Sequence, residues 1–149
     1  ADGANPLYTA WHSGNAVQPI TADTIATAIK IGAPVSWRKS MRGLRALNGV
    51  VTQVSDNEIM DAKAQIDAAG IGAEPASCAT VAGLKRLLKE GVIAKNENVV
   101  GVLTGNLLKD PDIVVGYHTN TLDGITSNRA NAPAKAPADV DAIRKLIQG

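Results

Sequence analysis

The sequence predicts an α/β architecture, part of a mostly parallel twisted sheet with flanking helices. Three observations predict it. Short aliphatic runs alternate with stretches of helical spacing along the chain. Apolar residues make up 45% of the 149, and Phe is absent. The core must therefore be built from Val, Ile, Leu and Ala, a composition that suits helices packed on a sheet. Third, the apolar run Asn98-Val99-Val100-Gly101-Val102-Leu103 halts on Thr104-Gly105-Asn106. It reads as a fully buried strand, and ligands in open α/β sheets sit outside the carboxyl ends of such strands.

The elements follow in order. Residues 6–13 form a short helix candidate, ended by Gly14. Residues 20–34 carry no clean period, and Thr24-Ile25-Ala26-Thr27-Ala28-Ile29 reads as a strand or an ordered loop. Residues 36–47 read as a helix, with Trp37, Met41, Leu44 and Leu47 at helical spacing and Gly49 just past its end. Its other face carries Arg38, Lys39, Arg42 and Arg45, either solvated or set against an acidic partner surface. Val50-Val51-Thr52-Gln53-Val54 is a short strand. Ser55-Asp56-Asn57-Glu58 then has the form of a capping box: Ser55 accepts from the third helical amide and Glu58 reaches back. That helix runs through Ile59, Ala62, Ile66 and Ala69 to Gly70, and Ile71-Gly72-Ala73 is a short connector or strand.

Glu74-Pro75 opens the next helix. Proline at the first helical position loses no hydrogen bond, and a glutamate there faces the positive end of the helix dipole. Small residues from Ala76 to Gly83 let a backbone or a flat ligand approach, Leu84, Leu87 and Leu88 are the expected core face, and Gly91 ends the helix. Beyond Thr126 the chain is rich in Ala and Pro and closes in an amphipathic helix over 139–147. The expected organisation is one domain over 1–120, followed by a linker and appended helix over 121–149, partly mobile.

A net charge of +1 gives no reason to expect nucleic acid or an acidic membrane as partner. With no long apolar run and no basic leader, neither a membrane span nor a signal peptide is expected. Cys78 is the single cysteine, so no internal disulfide forms, and the cytoplasm is the default compartment. Cys78 reads as a small core residue, with no base near it in sequence. His12 and His118 are too isolated to read as a metal site, and no metal is expected. No Walker loop, dinucleotide fingerprint or nucleophile elbow is present. Two readings of Thr104 stay open: a satisfied hydroxyl at a strand-to-turn junction, or a ligand-facing group beside a glycine that allows close approach. Glu74 is likewise either a helix-charge partner or a site carboxylate.

Three stretches resemble bacterial threonine synthase, a fold-type II pyridoxal-phosphate enzyme family. They are Thr24-Ile25-Ala26-Thr27-Ala28-Ile29-Lys30-Ile31-Gly32-Ala33-Pro34-Val35-Ser36-Trp37, Gly70-Ile71-Gly72-Ala73-Glu74-Pro75-Ala76-Ser77, and Val102-Leu103-Thr104-Gly105-Asn106-Leu107-Leu108-Lys109-Asp110-Pro111. The second is shared more loosely across fold-type II enzymes; the first with the third is specific. The likeness runs from residue 1 to about residue 115. It implies the C-terminal half of the large domain of a tryptophan-synthase-β-like fold, and conversion of O-phosphohomoserine and water to threonine and phosphate by an enzyme that is a homodimer when intact. It further implies that Thr104 hydrogen-bonds the pyridine nitrogen. A neutral hydroxyl there leaves the nitrogen largely unprotonated and makes the cofactor a milder electron sink. Gly105 and the short residues around Glu74-Pro75-Ala76-Ser77 would lie near the ring, and Ala4, beside Gly3 and Asn5, on its other side.

The chain departs from the family pattern in places. Asn106 and Leu107 stand where the family has His-Gly, and Cys78 replaces a usual Ala. No lysine here lies in a context resembling the Schiff-base motif, and no glycine cluster resembles the phosphate cup. The resemblance therefore implies a C-terminal segment, with the catalytic lysine elsewhere. Such a segment is expected to be inactive alone and prone to self-association through exposed apolar surface. Alternatives are another fold-type II enzyme, of threonine dehydratase or cysteine synthase type, and a non-catalytic interaction module derived from that fold.

Overall fold

A computed structural model describes residues 1–148. Six α-helices order those residues: α1 (Pro6–Ser13), α2 (Trp37–Ala46), α3 (Asp56–Ala68), α4 (Pro75–Lys89), α5 (Pro111–His118) and α6 (Val140–Gln148). Single 3-10 turns lie at Asp2–Ala4, Thr27–Ile29 and Leu107–Lys109.

Local chemistry sets the helix ends. Ser55 Oγ accepts from the Glu58 amide at 3.3 Å, and the Ser55 amide donates to Glu58 Oε2 at 2.8 Å, completing the capping box at the start of α3. Gly14, Gly70 and Gly91 end α1, α3 and α4 with φ of 74°, 77° and 72°, the left-handed conformation glycine adopts without steric cost. After α2 that role falls to Asn48, at φ 51°.

Helices α3 and α4 pack as an antiparallel hairpin around Val54, Ile59, Ala62, Ile66, Ala73, Cys78 and Ala82. Burying Ile59 or Met60 contributes roughly 2 kcal/mol each. Arg86 of α4 reaches Glu58 of α3 at 2.7 Å. Burial alone would raise the Glu58 carboxyl, but the bonds from Arg86 and Ser55 outweigh it and hold Glu58 below the usual carboxylate range. The segment read as a strand or an ordered loop is an ordered loop. Thr24 Oγ1 donates to Asp56 Oδ1, the Ile25 amide donates to Asp56 Oδ2 at 2.9 Å, and Ala26 is fully buried.

The mostly parallel twisted sheet is not formed. Among the described residues the β pairing is one isolated antiparallel bridge, Ala73 with Asn106. Both expected strands run beside α4 without a strand neighbour: Thr52 lies against Gly83, and Gly101 against Thr80. Three of their carbonyls are engaged in other ways. Val54 O accepts from the Asp2 amide, Val51 O faces His12 Nε2, and Val102 O accepts from Thr80 Oγ1. A ladder needs those groups free for a neighbour. Residues 98–103 are also not buried as expected, for Val100 is 89% and Val102 66% exposed.

The buried face of α4 is its small-residue face, Ser77, Cys78, Ala82 and Gly83, and not the leucines. Small residues let α3 and α4 approach closely. Leu84 and Leu87 instead line a cleft of about 450 Å³ with Leu44, Val81 and Val99, while Leu88 is exposed.

A second cluster, Met60, Ala64 and Tyr117, joins α5 to α3, with Ile113, Leu122 and Ile125 packed on it. Tyr117 donates to Asp61 Oδ1 at 2.7 Å and accepts from the Arg129 amide at 3.0 Å, while Asn128 Nδ2 donates to Asp61 Oδ2 at 2.9 Å. One carboxylate thus holds the chain beyond α5 against α3. The terminal helix α6 forms as expected, with Val140, Ile143, Leu146 and Ile147 exposed.

Desolvation, and then the bond to Asp61, push the Tyr117 phenol up to about 12 from an ordinary 10.0. The folded chain therefore holds this proton more tightly than the unfolded chain. The resulting stability is complete below pH 10 and is lost as pH rises through the folded value. Urea unfolding followed across that alkaline window is expected to show a falling free energy, with a shallower fall in Tyr117→Phe. Equal slopes in the two proteins would refute the assignment.

Candidate functional site

The start of α4 and the segment after residue 103 meet over a short stretch. The Glu74 amide donates to Gly105 O at 3.0 Å, beside the Ala73–Asn106 bridge. Glu74 precedes Pro75 with extended backbone (φ −63°, ψ 157°), and its side chain caps no helix amide. Instead the side chain turns inward and is 3% exposed.

Ser77, three residues on, is the centre of the arrangement. Its Oγ accepts from the Thr104 amide at 3.0 Å and the Gly105 amide at 2.9 Å. The same atom lies 3.1 Å from Thr104 Oγ1 and 3.5 Å from Glu74 Oε1. The Glu74 carboxylate fills the space a side chain at residue 105 would take: a Cβ there would stand 2.1 Å from Oε1 and 2.2 Å from Cδ. Glu74 Oε2 forms an ion pair with Lys109 Nζ at 2.7 Å, without the alignment of a hydrogen bond. Lys109 ends a 3-10 turn begun by Asn106, whose Oδ1 accepts from the Leu108 amide at 2.9 Å.

The floor of this site is held from α3. Lys63, 1% exposed, donates to Ala73 O at 2.6 Å and pairs with Asp67 at 2.9 Å. A buried ammonium is tolerated when paired and hydrogen-bonded in this way. Cys78 is fully buried, its Sγ 3.7 Å from Ala73 O. Burial pushes its thiol up to about 11, so it stays protonated and inert at neutral pH.

Of the residues singled out in the sequence, Thr104, Gly105 and Glu74 are brought together. No hydrogen bond among the described residues ties Ala4 to them. The turn holding Ala4 is anchored elsewhere: the Asp2 amide donates to Val54 O and the Asp23 amide to Gly3 O, both at 2.8 Å. A Cβ at Gly3 would overlap the Asp23 carbonyl. The family resemblance put Ser77 close to the ring without its hydrogen bonds, and sequence reading missed Lys63 and Lys109. The sequence does signal Ser77, a hydroxyl one turn past a buried helix start, but no local pattern signals Lys63 or Lys109.

An exposed neutral hydroxyl, a glycine and a buried carboxylate thus meet at one helix start. The chain belongs to the pyridoxal-phosphate-dependent enzymes, whose family model matches residues 1–105 and so includes Ala4, Glu74, Ser77, Thr104 and Gly105. Three curated relatives carry the name threonine synthase. The protein of Methanosarcina acetivorans is 40% identical over 100% of this chain and 35% of its own length. That of Halalkalibacterium halodurans is 41% identical over 85% of this chain and 33% of its own. Threonine synthase 2, chloroplastic, of Arabidopsis thaliana is 33% identical over 99% of this chain and 29% of its own. The chain thus spans about a third of the length of these relatives.

The residues present suit one end of pyridoxal phosphate. Thr104 carries a neutral hydroxyl whose only hydrogen-bond partner among the described residues is Ser77, and Gly105 beside it presents backbone and no side chain. Among the described residues no cluster of metal-ligating side chains forms, and no helix is long and apolar enough to cross a membrane.

Gly105→Ala tests the packing. The new methyl must displace a carboxylate held by Lys109 and by its own buried backbone. A loss of about 1–3 kcal/mol in urea unfolding is expected. An unchanged midpoint would mean that the Glu74 carboxylate is free to leave its place.

Proposed function

We propose that this chain works as one segment of a threonine synthase, the pyridoxal-phosphate enzyme that converts O-phosphohomoserine and water to threonine and inorganic phosphate. The observation that carries the reading is the joining of Thr104, Gly105 and Glu74 through Ser77, within the stretch matched by the family. The relatives' shared name supplies the reaction.

In this reading Thr104 faces the pyridine nitrogen of the cofactor. Gly105 lets the backbone approach the ring edge. Glu74, neutralised in part by Lys109, fixes the backbone at residue 105 and so the placing of the neighbouring hydroxyl. Ala4 borders the opposite face. Bound pyridoxal phosphate supplies an electron-withdrawing ring, and a neutral hydroxyl at its nitrogen moderates that withdrawal. Residues 1–120 form part of the cofactor-binding domain, and 121–149 the linker and closing helix. The lysine that binds the cofactor covalently and the groups that hold the phosphates come from outside this segment. The intact enzyme is a cytoplasmic homodimer, and the segment alone is inactive.

Two measurements test the reading. The full-length protein is expected to release phosphate and threonine in equal amounts from O-phosphohomoserine, and Thr104→Val to lower turnover about tenfold or more. Absence of that reaction, or full activity of the variant, would overturn it. The 149-residue chain, mixed with pyridoxal phosphate and reduced with borohydride, is expected to release the cofactor on dialysis. A single stoichiometric adduct on one lysine would mean that the segment holds a complete cofactor site.

A further inference from the structure

We infer that Ser77 is a positioning residue for Thr104, fixing the threonine hydroxyl with its proton turned outward so that Thr104 meets a ligand as a donor. The inference rests on the cofactor reading above and adds to it the residue that holds Thr104 in place.

The argument is one of counting. A serine hydroxyl has two acceptor sites and one proton. Both acceptor sites of Ser77 are used, by the Thr104 amide at 3.0 Å and the Gly105 amide at 2.9 Å. Thr104 Oγ1 lies 3.1 Å away, yet no site remains on Ser77 to receive its proton. The bond must run the other way, with Ser77 donating and Thr104 accepting. The competing acceptor for the Ser77 proton is Glu74 Oε1, at 3.5 Å, farther than Thr104 Oγ1 at 3.1 Å. Were that acceptor used instead, Ser77 would still have no room for the Thr104 proton.

Burial makes the arrangement hold. Ser77 is 3% exposed, so water does not compete at the inner end. Thr104 is exposed, and its Oγ1 has no other hydrogen-bond partner among the described residues. Its proton therefore points away from α4, towards solvent or a bound molecule. An outward proton can be given to an unprotonated pyridine nitrogen, and Oγ1 keeps one free acceptor site besides. What Ser77 fixes, through Thr104, is therefore where the hydroxyl meets the ring that binds there.

The test uses the full-length protein loaded with pyridoxal phosphate carrying nitrogen-15 in the ring. Two quantities are read: the ring-nitrogen chemical shift, and hydrogen exchange at the Thr104 and Gly105 amides. Ser77→Ala is expected to speed exchange at both amides about tenfold and to move the ring signal as the Thr104 hydroxyl loses its place. Ser77→Thr, which keeps the oxygen, is expected to restore both. Thr104→Val is expected to move the ring signal while leaving the Gly105 amide protected. If Ser77→Ala changes neither quantity, or Thr104→Val moves the ring signal and Ser77→Ala does not, the role of Ser77 is refuted and the cofactor reading survives. If Thr104→Val leaves the ring signal unmoved, Thr104 does not face the ring, and the cofactor reading falls together with the inference.

Discussion

One serine oxygen joins two distant parts of this chain. Ser77 Oγ receives the amides of Thr104 and Gly105, and almost everything about the site follows from that. Those amides would otherwise need a neighbouring strand. The bonds fix residues 104 and 105 against the first turn of α4, 27 and 28 positions earlier in sequence. They set the Thr104 hydroxyl at the surface and bring the Gly105 backbone over the Glu74 carboxylate. Two buried hydrogen bonds to one acceptor stabilise by only about 1 kcal/mol each, but losing the acceptor leaves both donors unsatisfied, which costs more.

The support beneath is equally specific. Ala73 O, one residue before Glu74, takes the Lys63 ammonium at 2.6 Å. Ile59, Ala62 and Ile66 on the same helix pack against Cys78 and Ala82. The α3–α4 hairpin is therefore the base of the site, and residues 104–109 are laid over its connected end. The capping box at Ser55 and the Arg86–Glu58 pair hold the other end of the hairpin, so the two helices cannot slide without breaking charged contacts at both ends.

Helix ends were legible because their causes are local: Gly14, Gly70 and Gly91 supply left-handed residues, and Ser55 with Glu58 supplies a reciprocal cap. Thr104, Gly105 and Glu74 were legible as candidates by residue type and position. The sheet was misread because an apolar β-branched run says that burial is favoured, without saying what covers it. In the structure Thr80 and Ser77 take the backbone bonds of residues 102–105, and the valines stay exposed. The buried face of α4 was misread for a related reason. Leucines are the usual core residues, but close helix packing selects the small ones, and that choice depends on a partner helix no local pattern reveals. The bonds of Ser77 were not legible because its amide partners lie 27 and 28 residues further on, and Lys63 escaped notice because Ala73 O, which it supports, lies beyond its own helix.

The missing side chain at residue 105 and the buried carboxylate at residue 74 occupy one volume. A carbon added at one position must be taken from the other, since Glu74 atoms lie within 3 Å of where a Cβ at residue 105 would stand. The two sites are therefore coupled by volume: a side chain at 105 fits without strain only beside a shorter residue at 74, and shortening residue 74 leaves Lys109 without this counter-charge. The volume of one carboxylate thus ties three positions together.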